Sequence, residues 1–143
     1  MLDKRKFYIN GKWIEPAKKN DFEVINPSNE ESFAVISLGS KADVDLAVKV
    51  SKEAFETWKE TTKEERIKLL ENLLSIYKKR FSEMTEAISK EMGAPMDWSS
   101  NVQNASGQAH LEDFIERLKN FKFDEQFDSK SNNQIFYEPI GVC

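Results

Sequence analysis

Few residues in this chain could do chemistry. It has one histidine, His110, and one cysteine, Cys143. His110 has carboxylates nearby at Glu112 and Asp113, yet helical spacing sets it beside Ser106 and Phe114 and not against a nucleophile. Its pattern reads as a partly exposed structural histidine. Cys143 follows a run of small residues. A catalytic cysteine needs a helix N-terminus, a base or a cation to stabilise its thiolate, and the local sequence offers none of these. One histidine and one cysteine cannot complete a zinc site of the usual kind. The glycines, Gly11, Gly39, Gly93, Gly107 and Gly141, are scattered, so neither a phosphate-cradling loop nor a G-x-G-x-x-G turn can be built from them. Residue chemistry alone therefore stops at an α+β piece without an active site.

The composition narrows the partners. The 143 residues suit one domain, and 39 % hydrophobic against 32 % charged residues is globular but polar. A net charge of −4 gives no general pull toward nucleic acid or anionic membrane. The basic runs Lys4-Arg5-Lys6 and Lys78-Lys79-Arg80 are too short for a binding stripe. No apolar run reaches the roughly 18 residues of a transmembrane helix. The charged start at Asp3-Lys4-Arg5 has no apolar stretch behind it, so no signal peptide is expected. A single cysteine excludes an internal disulfide and fits a reducing, cytoplasmic setting.

Short strands should come first. Phe7-Tyr8-Ile9 meets Asn10-Gly11 and then Lys12-Trp13-Ile14, a hairpin signal because a type I′ turn needs positive φ at both central residues. Phe22 to Ile25 reads as a strand ended by Pro27, which has no N–H for a ladder. Phe33 to Ser37 is expected to pair with a neighbour. Helices follow. Ser40 and Asp43 resemble a capping box ahead of Val44, Ala47, Val48, Ser51, Phe55 and Trp58 on one face. A second helix opens at Thr61 or Thr62, and its stripe of Ile67, Leu70, Leu74, Tyr77 and Phe81 continues through Met84, Ile88 and Met92 to a stop at Gly93. A third helical region is expected from Pro95 to Phe121. Its first half, Trp98 to Gly107, is rich in Ser, Asn and Gln, so tertiary contacts must hold it. Phe121 to Asn133 reads as a loop, and Gln134 to Val142 as a strand that breaks off inside an apolar run.

Six ordered segments carry a family resemblance. Tyr8-Ile9-Asn10-Gly11-Lys12-Trp13 is similar to the opening hairpin of NAD(P)-dependent aldehyde dehydrogenases. Val24-Ile25-Asn26-Pro27-Ser28-Asn29-Glu30 resembles that family's "NP(A/S)xxE" segment. Ala42 to Val48 with Ala54, Phe55 and Trp58, and then Glu65 to Leu70, resemble its first two helices. Glu91-Met92-Gly93-Ala94-Pro95 resembles its "E(T/M)GKP" turn, with Ala94 in place of the common lysine. Tyr137 to Cys143 resembles its "EPIGVxG" strand, where Cys143 falls on the variable position. The motifs keep family order and spacing over almost the whole chain.

The resemblance implies an α/β fold. Residues 1–130 would be the N-terminal part of a cofactor-binding domain, its hairpin and outer helices. Residues 131–143 would begin the oligomerisation strand, with the Rossmann core and catalytic domain absent. For a complete enzyme it implies a cysteine thiolate attacking a small aldehyde, hydride passing to NAD or NADP, and release of a carboxylic acid. It also implies a homodimer or homotetramer. The segments that bind cofactor and do the chemistry lie C-terminal to those present, so the chain alone is expected to be inactive and to bind no cofactor. Two lesser roles carry over. Backbone carbonyls of Val24, Ile25 and Glu91 would hold a monovalent cation, with Glu91 replacing a frequent aspartate. Trp98, Val102 and Ser106 would line the aldehyde entrance. The alternative is a short non-catalytic interaction protein built on the same fold.

Overall fold

The computed structural model describes residues 1–130 and 132–143; Ser131, where the expected oligomerisation segment begins, lies outside the described residues. The chain forms β1 (Leu2–Lys4), β2 (Phe7–Ile9), β3 (Lys12–Ile14), β4 (Asp21–Asn26) and β5 (Glu31–Ser37). Then come α1 (Lys41–Trp58), α2 (Lys63–Lys79) and α3 (Phe81–Met92). A further helical stretch starts as α4 (Met96–Trp98), widens into a π-helix (Ser99–Asn104) and ends as α5 (Ala105–Asn120). Two short strands, β6 (Asp124–Gln126) and β7 (Gln134–Phe136), follow.

The hairpin forms where the sequence places it. Asn10 and Gly11 have φ of 53° and 73°, and Tyr8 faces Trp13 across the β2–β3 ladder with ring centroids 5.3 Å apart. β5 is the centre of a three-stranded sheet, with β1 parallel on one side and β4 antiparallel on the other. Ala34, Val35 and Ser37 of β5 are buried there. β4 ends at Asn26, immediately before Pro27, as expected. The strand β1 has no counterpart in the sequence reading: Leu2 to Lys4 lacks alternation, and only its parallel pairing with β5 makes it a strand.

Both anticipated caps are present. The N–H and hydroxyl of Ser40 donate to Asp43 Oδ2 at 2.8 and 2.7 Å. The second Asp43 oxygen accepts the Ala17 N–H at 2.8 Å, which ties the start of α1 to the segment after β3. Thr62 Oγ1 accepts the Glu65 N–H while Glu65 accepts the Thr62 N–H. Gly93 ends α3 in the left-handed region at φ 68°.

Three expectations need correction. The second helix is not continuous: Arg80 (φ −104°, ψ 18°) separates α2 from α3. An unbroken apolar stripe hides such a break, because Ile67, Leu70, Leu74, Tyr77, Phe81 and Ile88 stay half-buried on either side of it. The segment from Phe121 to Asn133 is not wholly loop, since Asp124–Gln126 pairs antiparallel with Gln134–Phe136. The strand expected over Gln134 to Val142 stops at Phe136; Pro139 lacks the N–H a ladder needs, and Ile140 is 93 % exposed.

Candidate functional site

The best-built constellation lies where the wide helical turn meets α2 and α3. Asn104, at the end of the π-helix, is fully buried. Its Nδ2 donates to the Phe81 carbonyl at 2.7 Å and to Thr85 Oγ1 at 2.8 Å, and its Oδ1 accepts the Tyr77 hydroxyl at 2.5 Å. Thr85 in turn donates to the Phe81 carbonyl at 3.0 Å. The Phe81 carbonyl sits at the start of α3, just past the break at Arg80. Gly107 leaves room for this network, since a Cβ there would lie 2.7 Å from the Tyr77 hydroxyl oxygen. Ser99, also fully buried, donates from its backbone N–H to the Pro95 carbonyl at 2.9 Å. The expectation that tertiary contacts hold the polar half of this helix is borne out.

Trp98, Val102 and Ser106 lie on this same helical stretch, and all three are exposed. Trp98 is 56 % exposed, and the Ser106 hydroxyl donates to the Val102 carbonyl at 2.6 Å. They present a mixed apolar and polar surface opposite the Asn104 network. Sequence reasoning did not single out Asn104. Asn104 lies five positions after Ser99, off the α period, and only the wide turn brings both inward.

The residues expected to hold a cation occupy a second location. The β4–β5 register shifts between Val24 and Ile25, which disturbs the ladder locally. The turn that follows approaches the end of α3: a Cβ on Gly93 would lie 3.0 Å from Pro27 Cβ. Glu91 is on the last turn of α3 and exposed. The sequence order thus becomes a spatial neighbourhood of strand end and helix C-terminus. Among the described residues, no group of three or more His, Cys, Asp or Glu side chains could hold a metal ion.

The remaining candidates stay apart. His110 is exposed on α5, and Cys143 is exposed with its thiol 3.8 Å from the Gly141 carbonyl. Of the glycines, Gly39 alone lies between a strand and a helix, where a Cβ would lie 3.7 Å from the Phe7 ring. The described residues therefore offer no glycine-rich cradle for a dinucleotide. No described helix is long and apolar enough to cross a membrane.

The aldehyde dehydrogenase family pattern matches residues 13–143. A 3-succinoylsemialdehyde-pyridine dehydrogenase of a Pseudomonas species is 37 % identical over all of this chain and 30 % of its own length. The crystal structure of an aldehyde dehydrogenase from Bartonella henselae superposes with a TM-score of 0.90 at 49 % identity, over 92 % of this chain and 28 % of that one. Aldehyde dehydrogenase C from Pseudomonas syringae, solved with NAD+ and octanal, superposes at 0.84 with 32 % identity, over 87 % of this chain and 26 % of that one. The chain spans about 30 % of the length of the relatives it matches and corresponds to their N-terminal portion. With its pattern matched from residue 13 to the last, the chain belongs to the aldehyde dehydrogenase family.

Proposed function

We propose that this chain supplies the N-terminal part of an enzyme that oxidises an aldehyde to a carboxylic acid with NAD(P)+. The observation that carries the reading is the family match over residues 13–143. The cofactor, when bound, supplies the hydride acceptor; the scattered glycines of this chain support the reading that its cradle lies elsewhere in the enzyme. Their work is to shape the approach to the reacting centre and to hold the surrounding fold. The test is aldehyde-dependent reduction of NAD+ or NADP+ by the complete enzyme, with none from the 143-residue chain. A calorimetric isotherm for NAD+ on that chain alone would overturn the division of labour.

Two local roles belong to the same proposal. Trp98, Val102 and Ser106 line the aldehyde entrance; their exposure on one helical stretch supports this. The carbonyls of Val24, Ile25 and Glu91 hold a monovalent cation. The disturbed ladder at Val24 and the negative end of the α3 dipole favour a cation there. A melting temperature that is the same in potassium and in choline chloride at equal ionic strength would remove the cation role. A cytoplasmic, homo-oligomeric enzyme is the setting proposed. The outer edge of β7, which has no strand partner among the described residues, is suited to pairing between subunits.

A further inference from the structure

The inward face of the last long helix changes its step at one place. From Asn104 onward it repeats every three or four residues, through Gln108, Leu111, Ile115 and Leu118. Before Asn104 the preceding fully buried residue is Ser99, five positions away. In a regular α-helix, at about 100° per residue, two residues five apart point about 140° away from each other. The π-helix over Ser99–Asn104 takes up one extra residue and brings both inward. At its end the Ala105 N–H reaches back to the Ser100 carbonyl, five residues earlier.

The same extra residue aligns the outward face. Eight residues separate Trp98 from Ser106, which in a regular helix sets them about 80° apart. With one residue absorbed by the wide turn, the offset falls to about 20°. A π turn is rare and needs support from its surroundings. Here the support is the Asn104 carboxamide, whose bonds to Phe81, Thr85 and Tyr77 can form only if the turn stays wide.

We infer that Asn104 is a positioning residue: it latches the π turn into the α2–α3 seam and so keeps Trp98 and Ser106 on one outward face. Its bearing on aldehyde entry rests on the proposed enzyme function; the latch itself does not. Loss of the latch lets the turn tighten to an α-helix, which rotates the Trp98 end by about 100° relative to α5. Any rotation of that size carries Trp98 off the outward face.

The test uses the 143-residue chain, diluted until sedimentation velocity shows a monomer, with Trp13→Phe and Trp58→Phe so that Trp98 is the remaining tryptophan. Asn104→Ala is expected to reduce acrylamide quenching of Trp98 and shift its emission to the blue. Deleting exposed Asn101 from the Asn104→Ala chain removes the extra residue and is expected to restore both signals. A merely structural loss at Asn104 would not be rescued by shortening the helix. Unchanged quenching in Asn104→Ala, or no recovery on deletion, overturns the latch. Should Asn104→Ala not fold, deletion of Asn101 alone decides: parent-like quenching supports the inference, and altered quenching overturns it. In the complete enzyme, Asn104→Ala is expected to raise KM for the aldehyde severalfold with a smaller effect on kcat. If Trp98 responds and no aldehyde is oxidised, the enzyme reading falls and the latch stands. If aldehydes are oxidised and Trp98 does not respond, the latch falls alone.

Discussion

Asp43 and Gly107 show how single residues set this architecture. The Asp43 carboxylate is buried and accepts from the Ala17 N–H, the Ser40 hydroxyl and the Ser40 N–H, and these bonds hold its pKa below the ordinary aspartate value, the Ala17 bond most strongly. The native state therefore binds fewer protons than the unfolded chain in the acid range. The stabilisation is complete above the unfolded pKa and is lost as pH falls through the lower folded value. Asp43→Asn is expected to lower the melting temperature at neutral pH and to flatten its fall below about pH 5. Superimposable acid profiles of the two chains would refute this. Gly107 acts through space. A methyl group there collides with the Tyr77 hydroxyl, which must move and give up its bond to Asn104. Gly107→Ala should cost about 1–3 kcal/mol, the usual range for overpacking. Urea titration reads it, and a neutral result would mean that Tyr77 can turn away freely.

At the scale of elements, unequal anchoring predicts unequal stability. α2, α3, the π turn and α5 are tied together by the Asn104 network and by Lys63, whose ammonium donates to the Lys119 and Phe121 carbonyls at the end of α5. Arg66 adds a clamp: its guanidinium lies 5.9 Å from the Trp58 ring centre and 5.8 Å from that of Phe123. By contrast α1 is anchored at its two ends, by Asp43 on the Ala17 N–H and by Trp58 under the Arg66 guanidinium. Amide exchange in α1 beyond its first turn should run faster than in α3 and the start of α5, because local opening costs least where few contacts break. Equal protection across these helices would count against it. The same contrast decides what could be read from the sequence. Asn10-Gly11, Pro27, the Ser40 and Thr62 caps and Gly93 act within a few residues, so their chemistry was legible. β1 was not, because it depends on β5 some thirty positions away. The π turn was not, because its polar residues break the α period and are satisfied by α2 and α3. The candidate entrance and cation residues came from ordered family motifs; periodicity alone would have left Trp98, Val102 and Ser106 as one more helix surface.

For the whole molecule, the decisive feature is the apolar surface left uncovered. Val44, Leu46, Val48 and Trp58 of α1 are exposed, as are Leu69, Leu73 and Ile76 of α2 and Met84 and Met92 of α3. The hydrophobic residues buried in the core are few: Ala34, Val35 and Ile115. Isolated exposed apolar residues are ordinary on protein surfaces, but successive turns of three helices are more than a soluble monomer usually shows. Between α2 and α3, Leu73, Ile76, Tyr77, Met84 and Ala87 line an open groove of about 310 Å³. The relatives this chain matches are more than three times its length, which supplies both the need for such faces and the mass to cover them. Polar networks such as that of Asn104 keep their geometry without further cover, whereas the apolar helix faces gain by associating with anything that removes them from water. The 143-residue chain alone should therefore bind a hydrophobic dye such as ANS and self-associate as its concentration rises. Sedimentation velocity across a dilution series reads the association directly. A monodisperse monomer that melts in one cooperative transition and leaves the dye unbound would show that these faces are satisfied within the chain itself.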